Sequence, residues 1–236
     1  MSDPSALPTG FADLEAAPTL RIRVWDLPTR LFHWTLAAAV ISQVVTGSAG
    51  IMEWHFRVGH LVLALLVFRV IWGFIGGRWS RFAAFIYAPS SLSAYLRGQS
   101  HPDHLVGHTP LGALSVFALL GLLILQVATG LVSDDEIASS GPLTRFVSNA
   151  TVSLASGWHS QVGKWIILAL VCMHVAAVLF YVLVRRHRLV RPMVLGDKLV
   201  SHRAMPSRDD TASRMVALMV FAVCAGFSYW IASLRV

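Results

Sequence analysis

Apolar residues in this chain do not recur every second position or on one face of a helix. They run almost unbroken for about twenty residues at a time. Five such runs occupy residues 31–50, 55–77, 111–132, 158–184 and 215–234, separated by polar, charged or Gly/Pro-marked segments. A bilayer core takes roughly 20 apolar residues per helical span. The runs lack the alternation of a membrane barrel. Only helices satisfy their own backbone hydrogen bonds in lipid, so the pattern predicts an all-α integral membrane protein with five spans.

Composition agrees. Of 236 residues, 56% are hydrophobic and 13% charged; soluble domains carry about a quarter charged residues. The first twenty residues lack the basic and apolar regions of a signal peptide and read as a tail. SSLSAYLRG, residues 90–98, predicts a short surface helix, capped by Ser90 or Ser91 and ended by Gly98. No separate soluble domain is expected.

Charge sets the expected orientation. Arg21, Arg23 and Arg30 precede or open the first span. Arg78, Arg81 and Arg97 follow the second, and Arg185, Arg186, Arg188, Arg191, Lys198 and Arg203 follow the fourth. The other side carries Glu53, Asp134, Asp135 and Glu136 beside Arg145. Positive residues stay cytoplasmic, which places the N-terminus inside. The formal net charge of +7 is then a topology signal rather than a nucleic-acid footprint. Cys172 and Cys224 sit within spans and read as small packing groups. No CxxCH occurs, which excludes covalent haem attachment through that motif. QVVTG (43–47) is echoed by QVATG (126–130), both at outer ends of spans, and the expected role is close helix packing by small residues.

The histidines carry the chemistry. His159 and His174 lie on one helix, about 22 Å apart along its axis and on the same side. The orientation puts His159 near the outer surface with His55, and His174 near the inner surface with His33. Two cross-helix pairs result. Zinc takes four ligands and hard cations take oxygen. A proton relay wants carboxylates, which the spans nearly lack. Two imidazoles facing each other across a bundle suit a haem iron. Ala37, Ala38, Ala39, Gly47, Gly59 and Ala64 offer room for a flat macrocycle. Arg69, deep in the second span, is read as the counter-ion of a haem propionate, with snorkelling to the surface as the alternative.

DLPTRLFHW (26–34), HFRVGHLVLALLVFRVIWGFIGG (55–77), GHTPLGAL (107–114), QVATGLVSDDE (126–136) and HVAAVLFY…LVRPMVLGDK (174–198) together resemble the bacterial cytochrome b561 and nickel–iron hydrogenase b-type cytochrome family. The resemblance implies a four-helix haem-binding transmembrane bundle with two b-type haems, here joined by a fifth C-terminal helix. It places the ligands on His33, His55, His159 and His174, with His55 preferred to His60 because His55 and Gly59 match the family's His-x-x-x-Gly. His108 falls in a family motif without being assigned to iron. Relatives space the last two ligands one residue closer than the 15 found here; either spacing keeps them on one side.

The implied organisation is a disordered cytoplasmic tail (1–24), a di-haem domain (25–200), and a linker with the fifth helix (201–236). The implied function is electron transfer, in the bacterial inner membrane, between quinone and a periplasmic partner such as a c-type cytochrome or a hydrogenase. Superoxide:quinone oxidoreductase activity is an alternative, as is a non-redox anchor or transporter with structural histidines. The expected partners are quinone (ubiquinone as a bound form), the redox donor, lipid and a second copy of the chain in a homodimer; no nucleic acid is expected. For quinone, Arg30, Arg69, His187 and residues 82–87 mark an inner site, and Trp54 and Trp158 an outer one.

Overall fold

In a computed structural model, which describes residues 20–99, 101–137 and 139–234, five helices are long and apolar enough to cross a membrane. They are α1 (Leu27–Ser48), α2 (Met52–Ile75), α4 (Pro110–Leu131), the continuous rod Asn149–Leu183 and α8 (Thr211–Ser233). The rod comprises α5 (Asn149–Gly157), a π-helical turn (Trp158–Gly163) and α6 (Lys164–Leu183). Two short helices lie between spans, α3 (Pro89–Leu96) and α7 (Val190–Leu195).

Capping explains where the spans begin. Asp26 accepts from Thr29 N–H at the head of α1, Thr109 from Gly112 at α4, Ser148 from Thr151 at α5, and Asp210 from Ser213 at α8. Each side chain satisfies a first-turn donor that the helix itself cannot. The fourth span starts earlier than its apolar run because Ser148 caps a first stretch, NATVSLASG, too polar to join that run. In α3 the cap differs from expectation. Pro89 opens the helix and Ala88 stands at the N-cap without a side-chain bond, while Gly98, at φ +76°, does close the turn that follows.

α8 packs along α2. Ala217 and Cys224 join the core formed by Phe32, Leu65, Phe68, Trp72 and Leu120, and the Ser228 hydroxyl donates to the His60 carbonyl at 2.7 Å. Cys224 is buried as expected, but Cys172 is exposed on α6. Large apolar side chains such as Ile41, Phe74, Leu114, Trp165, Phe180 and Met219 face outwards around the bundle, where lipid would meet them.

One end carries a small cap. β1 (Leu20–Arg23) pairs antiparallel with β2 (Asp197–Val200), Leu20 opposite Val200 and Arg23 opposite Asp197. This corrects the expected tail of residues 1–24. Residues 20–23 are a strand, held by Arg21 and Arg23 on Asp197 at 2.7 Å each; residues 1–19 lie outside the described residues. Asp26, fully buried, organises the sheet end. Its carboxylate accepts from Thr29 N (2.8 Å), Trp72 Nε1 (3.3 Å), Gly77 N (3.0 Å) and the Ser80 hydroxyl (2.7 Å).

Candidate functional site

At the end away from the sheet, in the first turn of α2 and in the π turn, His55 and His159 face each other. Their ring centres are 6.0 Å apart and their planes cross at 86°. Each ring is held from behind. His159 Nδ1 lies 2.9 Å from the Gln126 carbonyl oxygen, which places the proton on Nδ1 and leaves Nε2 with its lone pair. His55 Nδ1 lies 3.4 Å from Thr46 Oγ1. Two imidazoles bound to one metal ion at about 2 Å each would place their ring centres about 6 Å apart. The pair therefore fits a single iron. Among the described residues no group of three or more His, Cys, Asp or Glu could hold a metal ion, so the chemistry is that of paired imidazoles.

Glycine makes the approach possible. A Cβ on Gly47 would lie 3.0 Å from His55 Cε1, and one on Gly130 2.7 Å from His159 Cε1. His60 lies five residues beyond His55, about 140° further round the helix, so the two cannot both face His159.

Nearer the sheet, His33 in α1 and His174 in α6 come within electrostatic reach of each other, and His33 Nδ1 is buried with no hydrogen-bond partner among the described residues. The π turn accounts for the 15-residue spacing of His159 and His174. Such a turn absorbs one residue without adding a turn, so both histidines stay on one side of the rod.

Arg69 does not snorkel. It is 3% exposed, its guanidinium lies 4.8 Å from the Phe82 ring centre, and its Nη1 has no partner among the described residues. Beside it His108 is sandwiched between Trp25 (4.6 Å) and Phe85 (4.4 Å). Burial, with the Arg69 charge next, pushes His108 down to about 3, so the ring is neutral at physiological pH. Its Nδ1 is likewise buried without a partner, and Tyr87 donates to its carbonyl at 2.7 Å. Lys198 donates to the Leu105 and Val106 carbonyls, and burial pushes its ammonium down. Buried Arg69 with half-buried His108 and Lys198 thus forms a flank within electrostatic reach of His33 and His174, a place suited to an acidic group.

The remaining expected residues scatter. Arg30 donates to the Val194 carbonyl, and His187 stacks on Tyr181 at 5.8 Å, whose hydroxyl meets that of Tyr95 at 2.7 Å. Of residues 82–87, Ala83, Ala84, Ile86 and Tyr87 border a cavity of about 550 Å³ that also touches Arg78, Arg81, Ser91 and His104. Trp54 is exposed at the far end. The roles of Gln43 and Gln126 went unread in the sequence, although the repeated QVxTG was the signal; the structure puts both repeats behind the distal histidines.

A bundle of membrane-spanning helices with histidines paired across its interior defines the class of membrane b-type cytochromes, whose cofactor is haem b. The chain belongs to the prokaryotic cytochrome b561 family, whose model matches residues 24–196. It is similar to proteins named "Probable Ni/Fe-hydrogenase B-type cytochrome subunit". The one from Rhizobium leguminosarum bv. viciae is 24% identical, covering 80% of this chain and 91% of that protein. The one from Cupriavidus necator is 26% identical, over 73% and 85%. A relative from Escherichia coli K12, named as the hydrogenase 1 subunit, is 23% identical over 76% and 91%. No solved structure matches.

Proposed function

We propose that the chain is a di-haem b cytochrome that transfers electrons between a periplasmic redox partner and the membrane quinone pool. The observation that carries this reading is the distal pair: two rings 6.0 Å apart, each held through Nδ1 by a neighbouring helix, with both Nε2 atoms left to bind. His55 and His159 would hold one haem, His33 and His174 the other. When bound, haem b supplies one-electron exchange at an iron whose two imidazole ligands need not change. The chain's own part is to orient those imidazoles, exclude water, and offset the acidic edge of the haem near the sheet with Arg69.

The basic segments beside the sheet end support a reading with that end cytoplasmic and the His55–His159 end at the periplasmic surface of the inner membrane. The names of the relatives favour a hydrogenase as the donor. The cavity at residues 82–87 supports quinone exchange at the cytoplasmic end, beside Tyr87 and His104.

A pyridine haemochrome assay on the purified protein should find two extractable haems per chain. His55→Ala and His159→Ala should each remove the same haem, His33→Ala and His174→Ala the other, and His60→Ala neither. A haem content near zero would end this reading.

A further inference from the structure

We propose that QVVTG with HFRVG, and QVATG with HSQVG, are two copies of one histidine seat, in which Gln43 and Gln126 are the positioning residues of His55 and His159. The proposal rests on the reading that this pair binds iron.

The correspondence is residue by residue. In one copy His159 Nδ1 lies 2.9 Å from the main-chain carbonyl oxygen of Gln126; in the other His55 Nδ1 lies 3.4 Å from Thr46 Oγ1, three residues after Gln43. In each, the glycine four residues after the glutamine leaves room for ring Cε1: a Cβ there would lie 3.0 Å away at Gly47 and 2.7 Å at Gly130. In each, the glycine four residues after the histidine leaves room for the glutamine side chain. A Cβ on Gly59 would lie 3.0 Å from Gln43 Nε2, and one on Gly163 2.1 Å from Gln126 Oε1. Both glutamine Oε1 atoms are buried without a hydrogen-bond partner among the described residues.

The copies differ where the backbone differs. His55 sits in a regular α-helix, and Thr46 Oγ1 lies 3.4 Å from its Nδ1. His159 sits in the π turn, where main-chain carbonyls leave the regular α-helical ladder. There the Gln126 side-chain Nε2 donates to the His159 carbonyl at 2.8 Å while the Gln126 main-chain carbonyl accepts from the ring Nδ1 at 2.9 Å. One residue thus holds the main chain and the ring of His159 together.

The test uses the full-length, haem-loaded protein. Gln43→Met and Gln126→Met keep the volume and the main-chain carbonyl and remove the side-chain amide, which at Gln126 is the donor to the His159 carbonyl. Each should change the low-spin electron paramagnetic resonance signal of the haem between His55 and His159, which responds to the angle between the ligand planes. Each should also loosen that haem, read as faster transfer to apomyoglobin by about 10–100-fold, the range by which losing a ligand-orienting contact weakens metal binding. The other haem, unchanged, is the internal control for folding. Should a Met variant lose both haems, Gln43→Asn or Gln126→Asn is read in its place against the same outcomes. His55→Ala tests the underlying reading separately, by removing one haem. If it does so while the glutamine variants keep parental signal and transfer rate, the repeats serve packing alone and the inference is overturned. If only one glutamine matters, the two-copy reading is overturned.

Discussion

The His55 and His159 rings stand 6.0 Å apart with their planes crossed at 86°, although α3, α4 and a long loop separate them along the chain. Neither ring is free to turn, because each lies against a glycine of the neighbouring helix. This fit between a ring and a missing side chain leads to the first prediction.

Gly130→Val should remove the haem proposed between His55 and His159 and leave the one proposed between His33 and His174. Its Cβ would fall 2.7 Å from His159 Cε1, and that ring is tied to the Gln126 carbonyl and cannot yield. Gly47→Ala, with 3.0 Å to His55 Cε1, should act in the same direction but more weakly. Haem stoichiometry and low-temperature difference spectra of the two variants check the order.

Arg69→Leu should lower the midpoint potential of the haem proposed between His33 and His174. A buried positive charge favours the reduced, more negative state, so its removal favours the oxidised one. Arg69→Lys keeps the charge and should move the potential less. Potentiometric titration separates the haems, and an unmoved potential in the Leu variant would place Arg69 away from that haem.

Asp26→Ala should cost about 2–4 kcal/mol of stability, since it strands several buried donors at once. Those donors come from Thr29, Trp72, Gly77 and Ser80, so the loss falls on the join between α1, α2 and the following turn. Thermal unfolding of the haem-loaded protein in detergent measures it.

Asp209 makes the cap sensitive to acid. Burial alone would push its carboxyl up, but hydrogen bonds from Arg214 and from Leu27 N–H, with the charges of Arg214 and Arg23, outweigh it and hold the group below 3.8. The folded value is depressed, so the stabilisation is complete above the unfolded value and is lost as pH falls through the folded one. Asp209→Asn should cost about 1 kcal/mol at neutral pH, because the arginines are partly exposed and screened. Its stability should converge with the parent's as pH falls below about 3.8. Parallel unfolding curves from pH 7 to pH 3 test this.

Much of the fold was legible in the chain. Transfer into lipid is a property of local composition, so the apolar runs mark the five spans to within a few residues, except where Ser148 caps the fourth well ahead of its run. The same one-dimensional logic brought His55 level with His159, and the structure places those rings together. The strand Leu20–Arg23 was not legible. Four residues carry too little pattern to declare a strand, and the partner at Asp197–Val200 is supplied from beyond the fourth span. The burial of Arg69 was open in the sequence for a related reason: only packing against Phe82 decides between a shielded guanidinium and a snorkelling one.

By itself, then, the sequence determined the number of spans, the charge asymmetry of their ends and the depths of the histidines, because each depends on local residue type and helical rise. Only the tertiary structure decided which ring nitrogen is engaged, why one helix carries a π turn, and what the repeated QVxTG does. Those depend on which carbonyl or glycine of one helix lies opposite which side chain of another. Gln126 and His159 reach each other only after α4 and the fourth span have packed, and no spacing along the chain encodes that contact.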